Sequence, residues 1–296
     1  MELVALITVL GGVVAILGFL YLLFIGQKSL FEWWRERQET HGVSAIPVTP
    51  PEPQVPTIPS NLPAWGEFIG REKEKARVRE ALASRWPLTC IDGFGGIGKT
   101  ALALEATSEC LRASKSEIPA NGIPTFGGFI WTTAKDRELV LNDVLDAIAR
   151  TFDYPGIAQQ PLEEKQESVR KLLQSKRYLL IVDNFDTITD DAVRDFLLRL
   201  PEPSKALITS RYQLPDLMTK AHVVSLDRME PHEGLSLIRG EGRRLGLASV
   251  EKAEERVLLH LYQATGGAPL AIKWAVGQIK QKGQALDTAL AALHEA

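Results

Sequence analysis

The chain has 296 residues, 45% of them hydrophobic and 24% charged, with a formal net charge of -3. That balance describes a globular protein with a sizeable core and room for one or two domains, and it excludes a disordered tail. The charge gives no field to draw in DNA or RNA, no Lys/Arg run interleaves with aromatics, and the two cysteines, Cys90 and Cys110, fall outside metal-ligand spacings and read as reduced core thiols.

Leu3 to Ile25 is an uncharged run of 23 residues. As a helix it would reach roughly 34 Å, enough to cross the hydrocarbon core of a bilayer. Lys28, Arg35 and Arg37 follow it while only Glu2 precedes it, so the positive-inside rule places the C-terminal bulk in the cytoplasm. Trp33 and Trp34 stand where an interfacial aromatic belt would. The run is too long, and its start too poor in basic residues, for a cleaved signal peptide. The expectation is a single-pass protein of the inner or plasma membrane, with a transmembrane helix over residues 1–27. Residues 28–64 follow as a juxtamembrane stem and linker. Ser29 to His41 has the pattern of a short amphipathic helix, and Ile46 to Pro63 carries a proline every few residues, which predicts an extended, semi-rigid spacer.

From Trp65 onward, short apolar runs alternate with helical stretches, as in a parallel sheet covered by helices on both faces. Strands are predicted at Leu88 to Ile91, Phe129 to Thr132, Tyr178 to Val182, Ala206 to Thr209 and Val223 to Leu226. Helices are predicted at Lys99 to Ala113, Glu138 to Phe152, Glu163 to Gln174 and Asp190 to Leu200. Beyond Pro231 strand patterns stop, and helices are predicted over 231–245, 251–264, 269–281 and 285–294. The expected fold is therefore an α/β domain over 65–228 and a small all-α subdomain over 229–296.

The stretch LTCIDGFGGIGKTALALEA places a strand, then Gly93 to Thr100, then an apolar-periodic helix. This is the G-x-x-x-x-G-K-[ST] phosphate loop in its required setting. Gly93, Gly95, Gly96 and Gly98 let the backbone curl so that successive N–H groups face a phosphate at a helix N-terminus, with Ile97 and Ala101 beside them. Lys99 can reach the β- and γ-phosphates, and the Thr100 hydroxyl can ligate Mg²⁺.

Such a loop needs a second carboxylate at the tip of a neighbouring strand, and Asp183, ending YLLIVD, occupies that place. Alone, an acid after a strand is more often a turn former. Hydrolysis also wants a group to orient or deprotonate water. Asn184 does not ionise and is a hydrogen-bonder at most, whereas Asp186 can act as base if the turn brings it round. The next strand, ALITSR, delivers Arg211 at the edge where open α/β sheets bind ligands, where a guanidinium can stabilise or sense a γ-phosphate. The expected catalytic set is Lys99, Asp183, Asp186 and Arg211, with Thr100 and Asp183 on the metal.

Four features together resemble the NB-ARC, or STAND, class of signal-transduction P-loop ATPases, relatives of the AAA+ proteins. FIGREKE (Phe68 to Glu74) resembles the hhGRExE motif, GFGGIGKTALA the family's phosphate loop, YLLIVDNFD and ALITSR its Walker B and sensor 1 strands, and GGAPLAI (Gly266 to Ile272) its GxP motif. The resemblance implies an ATP/ADP site with Ile69, Gly70 and Arg71 bordering adenine and ribose, and Pro269 closing over the nucleotide. Asn184, where many eukaryotic relatives carry a second acid, points to the bacterial type, whose later acid Asp186 would match. The sequence stops after the first helical subdomain, which implies a truncated relative or missing winged-helix and sensor modules supplied by a partner. His294 stands in the wrong kind of segment to replace the winged-helix histidine.

The expected function is a membrane-anchored, nucleotide-dependent signalling switch, a Mg²⁺-dependent ATPase of low turnover acting through a protein partner or self-assembly. A non-hydrolysing ADP-binding membrane scaffold is the alternative. An AAA-like motor or loader is a further one, disfavoured because no basic surface and no assignable arginine finger is present.

Overall fold

The computed structural model describes residues 57–64, 66–116, 118 and 122–282. Five strands, β1 (Leu88–Asp92), β2 (Phe129–Thr133), β3 (Leu179–Asp183), β4 (Lys205–Ser210) and β5 (Ala221–Ser225), form one parallel sheet in the order β2-β3-β4-β1-β5. β1, β3 and β4 are buried at every residue, because helices cover both faces of the sheet.

Alternation along the strands sorts the core into two layers. Ile91, Leu179, Ile181 and Leu207 face α1 (Glu72–Ala83) and α2 (Lys99–Lys115). Leu88, Cys90, Leu180, Val182, Ala206 and Ile208 face the opposite layer. There lie α3 (Leu141–Thr151), the short α4 (Pro155–Ala158), α5 (Leu162–Ser175) and α6 (Asp191–Leu198). Burial pushes the thiols of Cys90 and Cys110 up to about 12, consistent with inert core residues.

The short α7 (Pro215–Met218) precedes β5, and α8 (Pro231–Arg244), α9 (Ala248–Glu251), α10 (Glu255–Ala264) and α11 (Pro269–Lys282) follow it. These last four bury their own cluster, with Leu237, Ile238, Leu258, Leu261, Ile272 and Val276 at its centre. A parallel sheet flanked by helices, with a small all-α part after it, fits the expected P-loop NTPase type of α/β fold.

Several boundaries differ from expectation for physical reasons. α1 has no clear apolar period in the sequence, because EKEKARVREALA buries only Val78, Ala81 and Leu82. α3 starts at Leu141, not Glu138, because its first donors are taken there: Asp143 accepts from Val140 N (3.3 Å) and Asp190 from Leu141 N (2.8 Å). Residues 251–264 divide into α9 and α10, and the helix expected over 285–294 lies outside the described residues. Part of the expected spacer docks on the sheet: Ser60 bridges to Phe129, and Asn61 exchanges side-chain hydrogen bonds with the Trp131 backbone at 2.6 and 3.0 Å. This covers part of the free edge of β2.

The expectation of a single-pass membrane protein is corrected here. No helix among the described residues is long and apolar enough to cross a membrane. The longest, α2, has 17 residues and carries Glu105, Glu109 and Arg112. The segment on which the expectation of a transmembrane helix rested, residues 1–27, lies outside the described residues.

Candidate functional site

β1 ends at Asp92 and α2 begins at Lys99, so the glycine-rich loop spans the gap at the C-terminal edge of the sheet. Gly93 is what the local geometry demands: at φ 140° it lies where a Cβ would be 2.7 Å from the Leu226 carbonyl oxygen. That oxygen belongs to backbone held by Leu226 N donating to Asp92 O at 2.9 Å, so it cannot swing aside. Gly93→Ala is expected to cost about 1–3 kcal/mol of stability. An unchanged midpoint in denaturant unfolding would contradict it.

Lys99 is buried, and its ammonium donates to the loop's own carbonyls, Gly93 O at 2.7 Å and Phe94 O at 3.0 Å. Burial holds this ammonium below the ordinary lysine range, Asp186 and Asp183 pull it back up, and Arg211 adds to the fall. Beside it, Asp183 is buried under three hydroxyls. Thr100 Oγ1 and Thr209 Oγ1 each donate to its Oδ1 at 2.7 Å, and Thr133 Oγ1 donates to Oδ2 at 3.2 Å. The strand order explains the cluster, since β3 lies between β2, which supplies Thr133, and β4, which supplies Thr209.

Asn184 turns the chain with φ 56° into a 3-10 turn (Phe185–Thr187), which carries Asp186 around to β4. Asp186 accepts from Arg211 N at 2.9 Å and from Arg211 Nε at 2.6 Å. The carboxylate is 3% exposed and the guanidinium 50%. This pairing raises Arg211 above its ordinary value.

A cleft of about 670 Å³ opens over the loop, lined by Gly96, Lys99, Thr100, Asp183, Asn184 and Arg211 from the sheet side and by Pro269, Leu270 and Lys273 from α11. Asp186 is not among its lining residues. A smaller apolar pocket continues from it, bounded by Phe68, Ile69, Arg71, Ala101, Met229 and Pro269. Pro269 borders both. Leu270 N donates to Gly96 O at 3.2 Å, so the first turn of α11 sits directly on the phosphate loop.

The structure thus gathers Gly93 to Ala101, Asp183, Arg211 and Pro269 at one sheet edge. Arg71 is placed differently from a free ligand: its guanidinium points inward and donates to Ile97 O at 2.9 Å, Asp227 O at 2.8 Å and Glu74 at 3.2 Å. Its backbone N–H donates to Glu233 of α8. Sequence reasoning missed Thr133, Thr209, Glu233 and Lys273. Thr209 alone left a signal, a polar residue interrupting ALITSR at the position that faces β3's last carboxylate.

For a metal ion the donor set is oxygen only, a Thr hydroxyl and a carboxylate, which suits Mg²⁺. Among the described residues no three His, Cys, Asp or Glu side chains cluster as a metal cage. Such an ion would draw its other oxygens from phosphate and water.

The family model described as NB-ARC domain matches residues 71–244, more than half of the chain. The transcription activator GutR of Bacillus subtilis is 31% identical, over 67% of this chain and 24% of its own length. The regulatory protein AfsR of Streptomyces griseus is 30% identical, over 79% of this chain and 23% of its own. Among solved structures, a signal transduction ATPase with numerous domains and a tetratricopeptide repeat sensor, from Pyrococcus horikoshii, matches with a TM-score of 0.52 at 19% identity. That match covers 79% of this chain and 33% of the other, and is a likeness of fold. The chain spans about a quarter of the length of the curated relatives it matches.

Proposed function

The chain belongs to the NB-ARC domain family of STAND-class P-loop ATPases, and from that premise we propose that it is an ATP/ADP switch in which the phosphate loop reports its occupant to the helical subdomain. One observation carries this reading: the loop carbonyl of Gly96 is the acceptor for the first turn of α11, so the same backbone serves the phosphate site and the subdomain boundary. A γ-phosphate that favours one arrangement of that boundary shifts the population of states. GutR and AfsR bear regulatory names, which supports a signalling role acting through a protein partner or self-assembly.

In this reading the base and ribose lie along Ile69, Gly70 and Arg71, the phosphates along Gly93 to Ala101, and Pro269 closes the site. Thr100 and Asp183 hold Mg²⁺, which when bound neutralises charge on the phosphates. Lys99 leaves the loop carbonyls for the phosphate oxygens. Arg211 faces the γ-phosphate from β4. Asp186 would have to part from Arg211 before it could take a proton from water. The alternative of an ADP-holding scaffold without hydrolysis draws on that same ion pair.

Single-turnover assays of the purified chain with ATP and Mg²⁺ separate the two readings. Slow ADP formation, lost in Asp186→Asn, is expected for the switch. No product from the wild type assigns the scaffold, and absence of ATP and ADP binding would sink both.

A further inference from the structure

The small apolar pocket and the cleft over the glycine loop share a wall, and Lys273 stands on it. It lines both cavities, as Gly98, Ala101 and Pro269 do, and it alone among these four carries a charge. Pro269 and Lys273 are four residues apart on α11, so their side chains stack on one helix face, and Pro269 already leans on the start of α2.

The partner of Lys273 is Glu241 of α8, buried to 7% exposure, while Lys273 is 44% exposed. The contact is long, 3.4 Å from Nζ to Oε1. The other oxygen, Oε2, is held closely by Arg244, at 2.7 Å from Nε and 2.6 Å from Nη2. Two cations therefore serve one carboxylate. If Lys273 leaves, Oε1 loses that contact but Glu241 keeps both Arg244 nitrogens on Oε2, so the carboxylate retains a cation.

Resting on the nucleotide reading above, we infer that Lys273 is a phosphate-binding residue of the helical subdomain, exchanging Glu241 for the phosphate chain of a bound nucleoside di- or triphosphate. Lys273 lines both the apolar pocket and the cleft over the glycine loop, so its side chain is within reach of an anion that spans the two. Its release from Glu241 passes the presence of phosphate to α8, whose Leu237 and Ile238 form the subdomain core. Glu241 is a competitor for the cation, which fixes the sign of its effect.

The test is calorimetric titration of the full chain with ADP and with adenosine, for wild type, Lys273→Met and Glu241→Gln. Lys273→Met should weaken ADP about tenfold, as loss of one charge-assisted contact, and leave adenosine unchanged. Glu241→Gln should tighten ADP about two- to threefold, the opposite sign from any effect of a damaged fold. ADP affinity unchanged in Lys273→Met, or lost equally for ADP and adenosine, overturns the assignment of Lys273. ADP weakened by Glu241→Gln overturns the competition. Failure of the wild type to bind ADP and ATP overturns the nucleotide reading itself, and the inference with it.

Discussion

Lys99→Ala is expected to weaken ADP and ATP binding by at least about a hundredfold while leaving the fold standing. A lysine ammonium on two phosphate oxygens makes two charge-assisted hydrogen bonds of roughly 1.5 kcal/mol or more each, which together correspond to about that factor. The Lys99 ammonium donates to Gly93 O and Phe94 O, at 2.7 and 3.0 Å. Phe94 is itself half-exposed, so water can replace the ammonium there, and loss of stability should stay within about 1 kcal/mol. The pH dependence has a definite sign. Only the protonated amine binds phosphate, and burial lowers the value for Lys99 from that of an ordinary lysine. Affinity should therefore fall as pH rises through that lowered value in the wild type, with no such component in Lys99→Ala. Isothermal titration over a pH series checks both, and ADP affinity equal to wild type in the variant would falsify the role.

What was legible in the sequence follows from how local each feature is. The glycine loop, its strand and its helix are contiguous, so LTCIDGFGGIGKT displays the chemistry and its setting in one stretch. Asp183 was legible because a fully buried strand, LLIVD, leaves few reasons for an acid at its tip. The three hydroxyls around it were not legible together: they come from Thr100, Thr133 and Thr209, on separate elements, and only the order β2-β3-β4-β1 brings them to one carboxylate. Asp186 shows the limit from the other side. Its type suits a base, but the turn at Asn184 delivers it to Arg211, a pairing fixed by the return of β4. Residues 1–27 had the composition of a membrane helix, and composition alone carried that expectation.

Arg71 explains why the GRE stretch belongs with the phosphate loop although no catalytic group stands in it. The residue connects three pieces of backbone: its guanidinium holds Ile97 O of the loop and Asp227 O of the segment leading to α8, and its own N–H is held by Glu233 of α8. Gly70 beside it, at φ 78°, leaves no room for a side chain, since a Cβ would lie 2.9 Å from Met229 Cε and 3.0 Å from Glu233 Cβ. The two residues therefore form a seam on which the α/β domain and the helical subdomain meet, and Arg71 also borders the small apolar pocket. A change of angle between them must pass through this seam.

Arg71→Ala should consequently produce a large stability loss, about 3–5 kcal/mol. The side chain is 2% exposed. Its removal strips donors from Ile97 O and Asp227 O, at roughly 1–3 kcal/mol for each carbonyl left unsatisfied, and opens a cavity besides. Arg71→Gly separates the backbone from the guanidinium. At φ 60° the left-handed conformation costs a non-glycine residue about 1 kcal/mol, so glycine should recover about that much relative to alanine and no more. Denaturant unfolding followed by circular dichroism measures both variants. If the guanidinium is the connection, neither variant approaches wild type, and the helical subdomain melts ahead of the sheet as a separate phase. Should Arg71→Gly restore wild-type stability, the residue matters only through its backbone angle, and the seam is held by Glu233 alone.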